Sequence, residues 1–222
     1  MVFFAIHRRE VRYAWTGCRN LYRRLSVPLR DDLRGIGQRI IDFHDRGGDP
    51  PYMLYVYPPS QEWSVRRDLK ELQLWLEAPN RGVRCAAISL ADLFWQALET
   101  EGWINELIAQ ESDADGDESV LPDIFRSVSE ILRLPPSLPD RVVSAVEQFN
   151  HERIAVFLYR AGALYPAYRT STLIDDLRGR LRLPVTLLYP GAIVGDYGLK
   201  FMDRTEPAYG YRALIVPRGD RS

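Results

Sequence analysis

Four short apolar runs, separated by segments of helical spacing, constrain this chain of 222 residues more than any other feature. The runs are Tyr52–Tyr57, Val83–Ser89, Ile154–Tyr159 and Val185–Tyr189. They are β-branched or aromatic and bounded by Pro, Gly or Asn, the signature of strands; Ile154–Tyr159 is almost wholly apolar, as a strand covered on both faces must be. Between them, apolar residues recur every three or four positions, the signature of helices. Leu33, Ile36, Ile40 and Phe43 form one stripe, with Asp31 and Asp32 suited to the first turn. Val65, Leu69, Leu72 and Leu76 form a second, with Ser60 as its candidate cap. Asp92–Gln110 reads as a further helix, followed by two more through Ile124–Ile131 and Leu138–Phe149. Leu173, Leu177 and Leu181 mark the last.

Strands alternating with helices need crossover connections, which favour a parallel sheet. The expected fold is therefore α/β: a mainly parallel sheet with helices on both faces, Rossmann-like or P-loop-like without the Walker motif. Strands are expected near 52–58, 83–89, 154–160 and 184–189, with a helical insertion at about 91–150. Leu199–Met202 and Tyr211–Val216 read as short strands around a turn. The expected organisation is an arm or helix over 1–25 and a single α/β domain over 26–222.

Composition removes some classes of function. The 30 acidic residues balance 29 basic ones, so the chain is not a bulk polycation. Within the first 25 residues, however, His7, Arg8, Arg9, Arg12, Arg19, Arg23 and Arg24 crowd together; this leaves open a DNA-binding accessory role for that arm. Two cysteines, Cys18 and Cys85, are too few for a disulfide framework. The apolar start Met1–Ile6 precedes its charges, the reverse of a secretory signal, and no run approaches the length of a membrane span. A cytoplasmic protein without membrane contact is expected.

Catalytic signatures are missing from the sequence. Residues 58–64 hold neither Gly nor Lys, so the phosphate-binding G-x-x-x-x-G-K-[ST] loop fails after the first strand, and G-x-G-x-x-G fails everywhere. His7, His44 and His151 lie too far apart for a metal set, and there is no G-x-S-x-G elbow. The acidic stretch Asp113–Glu118 lacks the glycine position and terminal Glu of a calcium loop. No catalytic residue, cofactor or metal is expected, and the chain reads as a non-enzyme. A degenerate nucleotide-binding or phosphotransfer protein stays open as an alternative.

The densest unusual segment is Gly162-Ala-Leu-Tyr165-Pro166-Ala-Tyr168-Arg169-Thr-Ser171, at the exit of the third strand. Together with Leu188-Tyr-Pro190-Gly191, Gly198-Leu-Lys-Phe201 and Tyr211-Arg212-Ala213, it resembles the BrxB family of BREX phage-defence systems. Family members share Gly-x-x-[Tyr/Phe]-Pro-x-x-Arg-[Ser/Thr], then Tyr/Phe-Pro-Gly, then an aromatic-Tyr-Arg-Ala. The resemblance spans about residues 25–216, its specific part 154–216. The chain departs from the pattern at Ala192-Ile193 and Gly210.

The resemblance implies a non-catalytic component that binds other BREX proteins, the alkaline-phosphatase-like PglZ protein first among them. Aromatic and Arg side chains concentrate binding energy at interfaces. The candidate partner-binding rim is accordingly Tyr165, Tyr168, Arg169, Tyr189 and Arg212. The competing reading of Arg169 is a pairing with Asp175 or Asp176.

Overall fold

The structure, a computed structural model, describes residues 29–100, 102–113, 117–149 and 151–219. The N-terminal arm with Cys18 and the centre of the acidic loop, residues 114–116, lie outside the described residues. The elements run α1 (Asp31–Arg46), β1 (Tyr52–Tyr57), α2 (Glu62–Leu76), β2 (Arg84–Ser89), α3 (Leu90–Thr100), α4 (Trp103–Asp113), α5 (Leu121–Ile131), α6 (Leu138–Glu147), β3 (Ile154–Tyr159), α7 (Thr170–Arg178), β4 (Val185–Val194), β5 (Gly198–Phe201) and β6 (Leu214–Pro217).

The strand order is β2-β3-β4-β1-β6, every neighbouring pair parallel, with β5 antiparallel to the far end of β4. Alternate residues of β1 serve different cores. Met53, Tyr55 and Tyr57 face the stripe of α1 and α2 (Ile36, Ile40, Val65, Leu72). Tyr52, Leu54 and Val56 face the other side, with α3, α5, α6 and α7. Covering both faces explains why the strands read as unbroken apolar runs. Each buried Leu or Ile in these layers contributes about 1.5–3 kcal/mol relative to exposure.

The connection from β1 to β2 carries α2 across one face. Those from β2 to β3 and from β3 to β4 return across the sheet with their helices on the opposite face. This is doubly wound topology.

Four expectations need correction. The helix through Asp92–Gln110 is two helices, because Gly102 takes a left-handed turn (φ 74°) between α3 and α4. Ser60 lies inside a single 3₁₀ turn, Pro59–Gln61, so Gln61 and not Ser60 precedes α2.

The fourth strand does not stop at Pro190-Gly191 but runs to Val194. Tyr57↔Pro190 is the last parallel pair and Gly191↔Phe201 the first antiparallel one, so the residue without an N–H stands where the ladder changes partner. The last two short strands are not a pair. β5 joins β4, whereas β6 starts only at Leu214 and lies beside β1 as a parallel edge.

Candidate functional site

The four segments that carry the family resemblance meet in one aromatic cluster. Tyr189, at the end of the parallel part of β4, packs its ring 5.2 Å from Phe201 of β5 and edge-on to Tyr211 at 5.9 Å. Tyr165 leans on Phe201 at 6.3 Å, and the Tyr211 hydroxyl lies 3.3 Å from Thr170 Oγ1 at the start of α7. Glycines permit the close approach. A Cβ on Gly191 would sit 2.1 Å from the Lys200 carbonyl oxygen, and one on Gly162 would press on the Met202 sulfur at 3.1 Å.

This geometry divides the five rim candidates. Tyr168 and Tyr189 are buried, at 4% and 0% exposure, and present no surface to a partner. Burial, with the nearby Tyr211 hydroxyl, raises the Tyr189 phenol far above its ordinary range; its oxygen has no hydrogen-bond partner in the structure. Tyr165 is half-buried and Arg169 is exposed, one residue before α7. Arg169 forms no ion pair with Asp175 or Asp176 among the described residues. Arg212 is exposed, but Met53↔Leu214 pairing sets it level with the start of β1. Its carbonyl accepts from Arg178, the last residue of α7. Arg212 thus sits in the bend before β6, between Tyr211 of the aromatic cluster and the last residue of α7.

The carboxyl end of the sheet carries side chains the sequence reading did not single out. A crevice of about 320 Å³ opens there, between the exit of β1 and the exit of β3. Glu62, Trp63 and Arg66 form one wall, Arg160 and Gly162 the other, and Pro190 and Met202 lie between. Trp63 is 77% exposed, and the Arg66 guanidinium lies 4.6 Å from its ring centre. Tyr57, the last residue of β1, donates its hydroxyl to Glu62 Oε2, while Glu62 Oε1 is buried without a partner. Arg160 adopts a left-handed backbone (φ 59°, ψ 36°) and donates through Nη1 to Asp92 Oδ1 at 2.6 Å and Ser89 Oγ at 3.3 Å.

From the same end of β4 the chain continues into the β4–β5 ribbon; Tyr197, in its turn, and Tyr209, beside the Leu199↔Ala208 bridge to β5, are exposed at 74% and 68%. Helical phase is the signal that finds Trp63. It falls two residues before Val65, off the stripe at 65, 69, 72 and 76. Nothing in the sequence pattern marks Arg160 or Tyr197.

No group of three or more His, Cys, Asp or Glu side chains with metal-binding geometry occurs among the described residues. Cys85 is buried, which pushes its thiol well above its ordinary value, away from thiolate chemistry. No helix among the described residues is long and apolar enough to cross a membrane.

A doubly wound sheet, a crevice outside its carboxyl ends and a glycine-keyed aromatic cluster that binds β4, β5 and α7 together define an open-sheet α/β protein with a specialised C-terminal ribbon. The chain belongs to the BrxB family: the family model described as BREX protein BrxB matches residues 86–216, more than half of its length. It is a component of a BREX phage-defence system. No curated protein and no solved structure matches it.

Proposed function

We propose that this BrxB-family chain is an interaction subunit without turnover of its own, and that it docks the PglZ-like component of its BREX system. The observation that carries the reading is the pair of exposed tyrosines at the β4–β5 turn: Tyr197 within it, and Tyr209 on the following segment, whose ring lies against Gly198. Large aromatics left to water at the tip of a rigidly keyed ribbon are the residue type that anchors protein interfaces. Arg169 and Tyr165, which belong to the strand exits at the same end of the sheet, extend this surface.

The test is co-purification of the chain with each BREX component, followed by titration of the pair that forms. Tyr197→Ala combined with Tyr209→Ala should weaken the complex by about 2 kcal/mol, and Arg169→Ala by about 1 kcal/mol. Circular dichroism must show the variants folded. Folded variants that bind every BREX partner normally would overturn the reading. The purified chain should also release no phosphate from ATP or GTP above background, since the sequence lacks the loop that cradles a transferring phosphoryl group.

A further inference from the structure

We propose that the carboxyl-end crevice binds a small ligand that joins an anionic group to a planar ring, of the size and chemistry of a nucleoside monophosphate. Its position carries the first part of the argument. In open parallel sheets, ligands settle outside the strand carboxyl ends, where successive connections leave for opposite faces. Here β1 exits toward α2 on one face and β3 exits toward α7 on the other, with β4 between them. The crevice walls are those two exits.

The chemistry of the walls carries the second part. Two guanidinium groups line the crevice. Arg66 forms none of the ion pairs among the described residues; its contact is the Trp63 ring. Arg160 is steadied by Asp92 and Ser89 through one nitrogen, which leaves further donors of its fork unused. Held this way, it presents an oriented donor set for a phosphate or carboxylate. Trp63 adds an exposed indole, a platform on which a planar ring stacks.

Backbone strain agrees with this assignment. Arg160 occupies the left-handed region, which a non-glycine residue enters at a cost and which is concentrated at ligand clamps. Size then selects within the class. A volume near 320 Å³ is at the lower end of ligand pockets, enough for a mononucleotide and short of a triphosphate. The site is independent of the docking surface on the ribbon, so either proposal stands or falls alone.

The experiment uses the full-length chain in calorimetric and thermal-shift titrations against AMP, GMP, CMP and UMP, with inorganic phosphate and the free nucleosides as separate arms. At least one mononucleotide should bind saturably, and phosphate or nucleoside alone at least about tenfold more weakly, because each supplies only one of the two contacts. Trp63→Ala and Arg66→Gln should each lower that affinity about tenfold, while Tyr197→Ala leaves it unchanged. All three positions are at the surface, and melting curves confirm the fold. No saturable binding by any mononucleotide at millimolar concentration would overturn the proposal. So would full affinity in both Trp63→Ala and Arg66→Gln, or an equal response to inorganic phosphate alone.

Discussion

At the scale of single residues, the family motif is legible as a set of letters, but its role depends on burial, which the letters do not carry. Tyr189 illustrates the difference. As sequence it is an aromatic beside Pro-Gly at a strand end, suited to a rim; in the fold it is fully buried between Phe201 and Tyr211. Its hydroxyl meets no partner within hydrogen-bond geometry and has only the Tyr211 hydroxyl nearby, so removing it should cost little. Tyr189→Phe is therefore expected to keep or raise the melting temperature; a drop of several degrees would show that the oxygen has a hydrogen bond after all. Gly191 makes the opposite case. A methyl there collides with the Lys200 carbonyl, backbone against backbone, so Gly191→Ala should cost about 2–3 kcal/mol as the β4–β5 ladder shifts. Gly179→Ala is the control: φ is −75° and the nearest atom is 3.9 Å away, so denaturant unfolding should find it neutral or slightly stabilised.

At the scale of elements, the periodic segments were the readable ones, because burial on one helix face or both sheet faces writes itself into hydrophobic spacing. What spacing did not show was how β6 is held. Only four residues long, this edge strand is fastened by its exit. Arg218 donates its N–H to the Val56 carbonyl at 2.8 Å, and its guanidinium donates through Nη2 and Nε to Asp68 Oδ2 at 2.8 and 3.2 Å. Asp68 has no exposed surface. Gly219 N–H and Arg30 Nη2 both reach Asp32 Oδ2 at 2.8 Å. The residues that hold Arg218 and Gly219 lie about 150 to 190 positions away in sequence, beyond any local signal. Asp68→Ala leaves a buried guanidinium uncompensated and should cost about 3 kcal/mol, with hydrogen exchange at 214–217 rising more than at β3.

The same clasp has an acid limit. Burial opposes ionisation of Asp32, but donors from Arg30, Gly219 and Leu33 outweigh it and hold the carboxyl below its ordinary 3.8. A carboxyl lowered in the folded state stabilises above its unfolded value, and that contribution fades as pH falls through the folded value. The opening free energy at β6, taken from exchange corrected for its intrinsic pH dependence, should thus be level from pH 7 to 5 and fall below about pH 4, and Asp32→Asn should flatten that fall.

At the scale of the whole molecule, the family match and the folding unit do not coincide. Residues 86–216 contain β3, β4 and β5, most of β2 and all of β6 but its last residue, but not α1, β1 or α2. Yet β1 is the strand that joins β4 to β6, and it contributes Tyr55 and Tyr57 to a core whose other wall is α1 and α2. Without the N-terminal elements, β4 would lose its ladder from Val185 to Pro190, β6 would have no partner, and one face of the sheet would stand open to water. An exposed apolar face with an open strand edge along β4 is a template for aggregation. A fragment of residues 83–222 is therefore expected to be insoluble or to lack a cooperative thermal transition, although it holds every motif of the family. Co-expression with residues 1–82 should restore a soluble complex with the melting behaviour of the intact chain, because Gly82 closes a surface turn between α2 and β2 where a break leaves both cores intact. If residues 83–222 instead melt cooperatively at the temperature of the whole chain, β1 is dispensable and the two-core account of the sheet is wrong. The crevice makes the same division visible in a second way. Trp63 and Arg66 come from the N-terminal part and Arg160 from the matched part, so mononucleotide binding should be absent from either fragment alone and return only with the complex.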